Sequence, residues 1–345
     1  MMNSMFKFLM GAVCAAVLPA FGQGEKTDFP TDKAVTVFSA GEGNPYASIR
    51  IPALLNIGKG QLLAFAEGRY KNTDQGENDI IMSVSKNGGK TWSRPRAIAK
   101  SHGATFNNPC PVYDAKTKTV TVVFQRYPAG VKERQPNIPQ GWDDEKCIRN
   151  FMIQSRNGGS SWTKPEDITK TTKRPTGVDI MASGPNAGTQ LKSGPHKGRL
   201  VIPMNEGPFG KWVISCIYSD DGGKSWTDPE IFSDCGVLPR LCRLDCGVTL
   251  LCYARPGMYV AAFDSKNGEK IGETLCIIEP CDRSGLANEK VEKPTWHQWD
   301  GQCGNPEIIP IGYNTALLFY GDFYYPDENG VKRKTILCRK IAVKK

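Results

Sequence analysis

Short apolar runs separated by Gly, Pro, Asn and Asp follow one another along most of this chain, and helical periodicity is nearly absent. Many of the runs hold β-branched and aromatic residues, which favour strands, and the intervening residues favour turns. The predicted strands are 35–38, 51–57, 62–65, 80–84, 120–124, 200–202, 213–218, 248–253, 315–319 and 335–338. This pattern predicts an all-β protein assembled from many short strands.

An eight-residue repeat occurs three times in the chain, each time at the end of a β-rich run. Residues 85–92 read Ser-Lys-Asn-Gly-Gly-Lys-Thr-Trp, and similar octets, the repeat turns, occupy 155–162 and 219–226. Asn or Asp followed by Gly-Gly supplies the positive φ of a tight turn. A decayed copy without its tryptophan begins at Ser265. The repeat is therefore predicted to be structural, with Asp221 outside the chemistry.

The three repeat-turn tryptophans are Trp92, Trp162 and Trp226. We expect each of them to be largely buried between neighbouring sheets, well away from any binding pocket.

The segment 67–79 between two predicted strands is almost wholly polar and contains Arg69, Asp74 and Asp79. Sheet proteins place binding and catalytic groups on loops that strands hold at both ends. A solvated surface loop is the alternative interpretation of the same composition. Arg50 stands at the start of the strand that precedes this segment.

Composition narrows the classes of function. The formal charge is +9, but the basic residues are scattered and form no stripe interleaved with aromatics, which argues against nucleic acid. A mild positive balance suits an anionic substrate. The chain has 12 Cys, only three His and no Cys-x-x-Cys pair, so zinc is not predicted, and no other cofactor is. Cys242, Cys246 and Cys252 are either disulfide partners or small buried hydrophobic residues.

Residues 1–22 have the pattern of a secretory signal peptide, with Lys7 before an apolar run and a small-x-small cleavage site. The run is too short for a membrane span, and no later stretch is apolar enough to cross a bilayer. The expected mature domain is therefore 23–345, secreted or periplasmic.

Several motifs in one order carry a resemblance to a known family. Arg50-Ile51-Pro52, Glu67-x-Arg69, Asp74 five residues later and the first repeat turn resemble the N-terminal signature of the sialidases (neuraminidases). The resemblance continues through 108–112, 183–188 and 198–203. It implies a six-bladed β-propeller whose repeat turns are Asp-boxes. The implied function is that of an exo-alpha-sialidase, with sialylated or other acidic glycans as partners.

The resemblance also assigns roles. Arg50 matches the first of three arginines that bind the substrate carboxylate, for which a guanidinium fork is suited. Asp74 matches the acid/base aspartate, and Arg69 matches an arginine beside it that contacts substrate. Arg255 is the best candidate for the second carboxylate-binding arginine, and Arg283 is a weaker candidate for the third.

Two positions depart from the family. Retaining sialidases use a tyrosine nucleophile activated by a glutamate, yet Leu238 stands at the glutamate position and Asn305 at the tyrosine position. Three hypotheses therefore stay open: a sialidase, a hydrolase of this fold for another sugar, and a carbohydrate-binding propeller without catalysis.

Overall fold

The structure is a computed structural model that describes residues 36–41, 43–184, 186–192, 194–208, 211–233, 236–254, 257–279, 303–326, 329–330 and 332–343. Within 303–338, it describes only some of the side chains. The predicted signal peptide, Arg255 and Arg283 lie outside the described residues. The larger compact unit of the chain runs from Val35 to Lys345.

The described chain folds into five consecutive antiparallel meanders. The first contains β1 (Ser48–Asn56), β2 (Leu62–Arg69), β3 (Asn78–Ser85) and β4 (Arg96–Ala99), and the second contains β5 (Thr105–Asp114), β6 (Thr119–Tyr127), β7 (Arg149–Ser155) and β8 (Glu166–Asp167). The third contains β9 (Met181–Ser183), β10 (Thr189–Gln190), β11 (Leu200–Glu206), β12 (Val213–Ser219) and β13 (Glu230–Ser233). The fourth contains β14 (Val237–Arg243), β15 (Val248–Ala254), β16 (Met258–Asp264) and β17 (Lys270–Ile278), and the fifth contains β18 (Cys303–Gly312), β19 (Thr315–Pro326) and β20 (Lys332–Ala342). One short helix, α1 (Thr169–Thr172), follows β8.

Most of the predicted strands are present, and the all-β prediction is confirmed. The expected strand at 35–38 is wrong for residues 36–38, which are not in a strand. Phe38 is instead half-buried against the cluster of Tyr46, Ala66 and Ile81, so packing rather than strand pairing removes its side chain from water. The polar segment is also shorter than predicted, because β2 continues to Arg69 and β3 begins at Asn78.

The first strands of four meanders share a β-bulge. The register shifts lie at Arg50/Ala53 in β1, Asn107/Cys110 in β5, Val237/Arg240 in β14 and Gly304/Glu307 in β18. In β1, β5 and β14, the residue before a proline has a positive φ: Ile51 at 54°, Asn108 at 52° and Leu238 at 59°. Such a φ is rare for a β-branched residue and costs about 1–3 kcal/mol. These first-strand kinks bend the strand and re-aim the neighbouring side chains.

Each complete repeat turn is closed by the same hydrogen bonds. The Ser85 hydroxyl accepts the N–H of Gly89 at 2.8 Å, and Asn87 Oδ1 accepts the N–H of Thr91 at 2.9 Å. The second and third turns repeat both bonds with Ser155, Asn157, Ser219 and Asp221. The turns are therefore structural, as the sequence predicts.

The prediction for the three tryptophans is correct only in part. Trp226 is buried, at 5% exposure, in the cluster that joins the second and third meanders. Trp162 is half-buried, and its ring meets Phe65 of the first meander edge-on at 6.0 Å. Trp92 is also half-buried, but it lines the same cleft as Arg50. Trp162 and Trp226 each pack on the meander that comes before their own in the chain. The structure describes no meander before the one that carries Trp92.

Asp221→Asn, in the third repeat turn, should make the free energy of unfolding fall less between pH 7 and pH 3. Partial burial opposes ionisation, but hydrogen bonds from the Ser225 hydroxyl and from backbone N–H groups lower the pKa of Asp221 to about 2. The folded state thus favours the carboxylate, and this stabilisation is present above pH 3.8 and is lost as the pH falls towards 2. We expect the Asp221 carboxylate to contribute about 1 kcal/mol or less to the free energy of unfolding, because the side chain is exposed. Urea unfolding at pH 7 and pH 3 would test this, and an unchanged acid dependence would contradict it.

The seven cysteines whose side chains the structure describes are not in disulfides. Cys242, Cys246 and Cys252 are buried in the cluster between the fourth and fifth meanders, among Leu244, Val248 and other apolar residues. Of the two alternatives that the sequence leaves open, these three follow the second and act as small buried hydrophobic residues.

Candidate active site

Asp74 is the centre of a charged cluster at one end of β1 and β2. Its Oδ1 accepts hydrogen bonds from Arg69 Nη1 at 2.7 Å and from Arg50 Nη1 at 3.2 Å. The Asp74 and Arg50 side chains are 57% and 53% exposed, whereas Arg69 is 1% exposed. The structure thus brings together three of the four predicted site residues, with one guanidinium below the carboxylate and one beside it at the surface.

Glu67 holds Arg69 from the opposite side. Its Oε2 accepts from Arg69 Nε at 2.8 Å and from Nη2 at 2.5 Å, and its Oε1 accepts the N–H of Asn108 at 2.7 Å. Burial raises the pKa of Glu67 to about 7, while the charge of Arg69 and the bond from Asn108 act in the opposite direction. A guanidinium held by two carboxylates is fixed in position, because its planar fork leaves few alternative geometries.

Two amides from neighbouring strands position the loop that carries Asp74. Asn78 Nδ2 donates to the Asp74 carbonyl at 3.0 Å, and Asn107 Nδ2 donates to the same oxygen at 3.2 Å. Asn78 lies opposite Arg69 in the β2–β3 register, and Asn107 directly precedes the kink of β5. The backbone of an exposed loop residue is thereby tied to two meanders.

Asp79 is a buried anchor for the base of the same loop. It accepts hydrogen bonds from the hydroxyls of Tyr46 at 3.0 Å and Tyr70 at 3.2 Å, and from the N–H of Ser101 at 2.8 Å. Burial, followed by the charge of Asp79, raises the pKa of the Tyr46 phenol above its ordinary range. Asp79 lies in β3 rather than in the loop, and its role is to hold the loop ends.

A cleft of about 660 Å³ opens beside Arg50. Arg50 and Pro52 line it from β1, Asn186 from the third meander, Arg240 from β14 and Pro306 from β18. Residues at the kinks of β1, β14 and β18 therefore meet Asn186 at one cleft. Asn186 and Arg240 were not predicted from the sequence, although a recurring x-Pro pair marks the corresponding position in each meander.

The remaining site predictions stand as follows. Leu238 occupies the positive-φ position of the β14 kink, and its side chain is half-buried. Asn305 lies in β18, and its side chain, like the whole of Arg255, is outside what the structure describes. Among the described residues, no group of three His, Cys, Asp or Glu is arranged to hold a metal ion.

Comparisons with known proteins identify the family of this chain. Residues 60–273 match the family described as the BNR repeat-like domain. That match covers more than half of the chain, so the chain belongs to this family, within the sialidase superfamily. Sialidase-3 of Bos taurus is 30% identical over 318 residues, which cover 85% of this chain and 68% of that protein. An exo-alpha-sialidase of Arthroderma benhamiae is 29% identical over 232 residues, 62% of this chain and 53% of the relative.

Solved structures show the same fold. The Hadza microbial sialidase Hz136 superposes with a TM-score of 0.66 at 18% identity, over 88% of this chain and 57% of that one. The intramolecular trans-sialidase from Ruminococcus gnavus superposes with a TM-score of 0.62 at 16% identity, over 89% and 88% of the two chains. The chain spans between 53% and 59% of the length of three of its sialidase relatives. Within the described residues, no helix is long and apolar enough to cross a membrane.

Proposed function

We propose that this protein is an exo-alpha-sialidase-like glycosidase that releases terminal sialic acid, or a related acidic sugar, from glycoconjugates. The observation that carries the proposal is the meeting of Arg50 and Arg69 at one exposed oxygen of Asp74. The names of the relatives support the same chemistry. Sialic acid presents a carboxylate next to its glycosidic bond, so a surface guanidinium beside a carboxyl group suits both parts of the substrate.

The geometry supports a change of hydrogen-bond partner by Arg50 when the sugar binds. Arg50 is half-exposed and can leave Asp74 for the carboxylate of the sugar, whereas Arg69 is buried and stays. Asp74 would then lose one of its two cationic partners, and its exposed carboxyl group could face the glycosidic bond. A protonated Asp74 can donate to the leaving glycosidic oxygen and, as the carboxylate, can later take a proton from water.

A fluorogenic aryl sialoside tests the proposal directly. We expect release of the fluorophore by the wild-type protein, together with release of sialic acid from sialylated oligosaccharides. Binding of a sialic acid analogue, measured by calorimetry, should accompany it. The activity proposal fails if neither substrate is cleaved under conditions in which the protein is folded.

A second candidate is a propeller that binds acidic glycans without cleaving them. Leu238 favours it, because an apolar side chain at this position cannot act as the base that activates a nucleophile. Binding of the analogue without turnover would support this candidate. Turnover of a different acidic glycoside from a panel would instead indicate a hydrolase for another sugar.

Arg50→Ala should weaken binding of a sialic acid analogue by about 10–150-fold, which corresponds to the roughly 1.5–3 kcal/mol of hydrogen bonds to a charged group. Arg50→Lys should recover only part of the loss, since an ammonium cannot make the planar two-point contact. Arg94 is exposed on the same meander and provides the control substitution, Arg94→Ala. Titration calorimetry measures the affinity of the three variants for the analogue. Equal affinity of Arg50→Ala and wild type would exclude Arg50 from the carboxylate site.

We further propose that the complete fold is a six-bladed propeller and that residues 1–22 direct its export to the periplasm or medium. The likeness to sialidase structures supports the first part, and the charge and hydrophobic pattern of the N-terminus supports the second. An experimental structure that includes residues 280–302 would count the blades. The N-terminal sequence of the protein recovered from the periplasm or medium should begin at residue 23, and an uncleaved N-terminus would contradict the export proposal.

A further inference from the structure

The repeat-turn tryptophans fill the space between neighbouring meanders. Trp162 packs among Leu63, Phe65 and Met82 of the first meander, and Trp226 packs among residues of the second meander that include Val123. Each indole comes from the turn of the following meander. The interfaces between the first and second, and the second and third, meanders are therefore sealed by an indole.

The interface between the third and fourth meanders lacks this indole. In the decayed copy, the position seven residues after Ser265 is Gly272, which lies exposed in β17. The Ser265 hydroxyl, which would close a complete repeat turn, is instead hydrogen-bonded to the Thr249 hydroxyl at 2.8 Å. The turn therefore has neither the tryptophan nor the hydrogen bonds of its three counterparts.

A cavity of about 150 Å³ lies at this interface. Ser265, Asn267 and Gly268 of the decayed turn form one part of its lining. The apolar part of the lining is Val201, Pro203 and Cys216 from the third meander and Leu241, Leu251 and Phe263 from the fourth. An apolar cavity of roughly this volume accommodates one small aromatic ring, and this cavity adds polar side chains that include His196, Glu230 and Asp264.

The polar groups of the lining define the ligand further. Arg199 is already neutralised by a two-point contact with Asp220, at 2.8 and 2.7 Å, and it stacks on Tyr218 at 3.8 Å. The exposed Glu230 carboxylate is the acceptor at the other strand, β13. A ligand with its own negative charge would meet a paired cation and the carboxylates of Glu230 and Asp264, whereas an N–H donor would suit a carboxylate.

We propose that the cavity between the third and fourth meanders is a binding site for a neutral planar aromatic molecule with an N–H donor, of the indole class. The ligand occupies the space that a side chain of the protein fills at the two preceding interfaces. The site is separate from the Arg50–Asp74 cluster, which belongs to the first meander, and it does not depend on the proposed glycosidase activity.

Indole itself is the probe. At a concentration tenfold above its dissociation constant, indole should raise the Tm of the wild-type protein by about 2–4 °C, since only the folded state has the cavity. Under the same conditions it should slow alkylation of Cys216 by N-ethylmaleimide about tenfold, measured on the isolated peptide by mass spectrometry. Cys276 is half-buried in β17 and outside the cavity lining, so it can react from the folded state and should do so at an unchanged rate.

Two variants locate the site. Val201→Phe places a ring in the cavity and should abolish the Tm shift, whereas Leu275→Phe adds the same ring on an exposed side of β17 and should keep it. A Tm shift that persists in Val201→Phe places indole elsewhere and overturns the proposal. If Val201→Phe fails to fold, protection of Cys216 in the wild type decides the question. Absence of both the Tm shift and the protection in the wild type also overturns it.

Discussion

Asp74→Asn should slow the release of sialic acid from natural glycoconjugates by about 10²–10⁴-fold, the usual cost of losing a general acid. An amide at this position cannot deliver a proton to the glycosidic oxygen. The loss should be much smaller for aryl sialosides, because a phenolate leaves with little protonation. Affinity for a sialic acid analogue should be nearly unchanged, since Arg50 and the buried Arg69 remain. Steady-state kinetics on the two substrate types gives the comparison.

Asp245→Asn is the matched control, because Asp245 is exposed in the turn between β14 and β15 and outside the cluster. It should leave both substrates unaffected. If Asp74→Asn reduces turnover of both substrate types to the same extent, Asp74 has a different role, such as holding Arg50.

Arg69→Met should lower the free energy of unfolding by about 3–5 kcal/mol at pH 8, the range for removing one partner of a buried ion pair. Glu67, at 0% exposure, would keep the Asn108 N–H but would either carry an unpaired charge or take up a proton, and both cost free energy at pH 8. Arg149→Met is the control, because its pair with Asp167 is partly exposed and should contribute about 1 kcal/mol or less. Urea denaturation of the variants measures both values.

Arg69→Met should have a higher free energy of unfolding at acid pH than at pH 8. Burial already raises the pKa of Glu67 to about 7 in the wild type, so the stability that the protonated form contributes is complete below pH 4.5 and is lost as the pH rises to 7. Without Arg69 the pKa rises further, and the loss extends to higher pH. The double variant Arg69→Met/Glu67→Gln should recover much of the stability at pH 8, because no unpaired charge remains buried. A double variant as unstable as Arg69→Met would show that packing of the arginine matters more than its charge.

Regular repetition made the fold accessible from sequence. The strand-turn pattern and three octets predicted an all-β protein with repeated structural turns, and hydrogen bonds from Ser85, Ser155 and Ser219 close those turns. Arg50, Arg69 and Asp74 could also be predicted to lie together, because they share one ordered motif. What joins them is local: a hairpin and the short loop after it.

Long-range packing limited the rest of the prediction. Glu67 and Asp79 look like loop residues in a polar stretch, but partners from distant positions, Asn108 and Ser101, make them buried anchors. Trp92 ends an octet similar to that of Trp226, yet it is less buried because its exposure depends on which meander lies beside it. Arg240 belongs to the cleft only because the kink in β14 faces the kink in β1, a relation that no short motif encodes.

At the repeated first-strand kinks, the backbone conformation does not depend on which side chain is present. Ile51, Asn108 and Leu238 differ in size and polarity, yet all three adopt nearly the same backbone conformation before a proline. The conformation is therefore set by the bulge and the sheet, not by the side chain that occupies it. A chain built in this way can exchange one side chain for another at the kinks, one of which, Ile51, lines the cleft, and keep its architecture. New sugar specificities on this scaffold should therefore be reachable by single substitutions at the kinks, without insertions or remodelled loops.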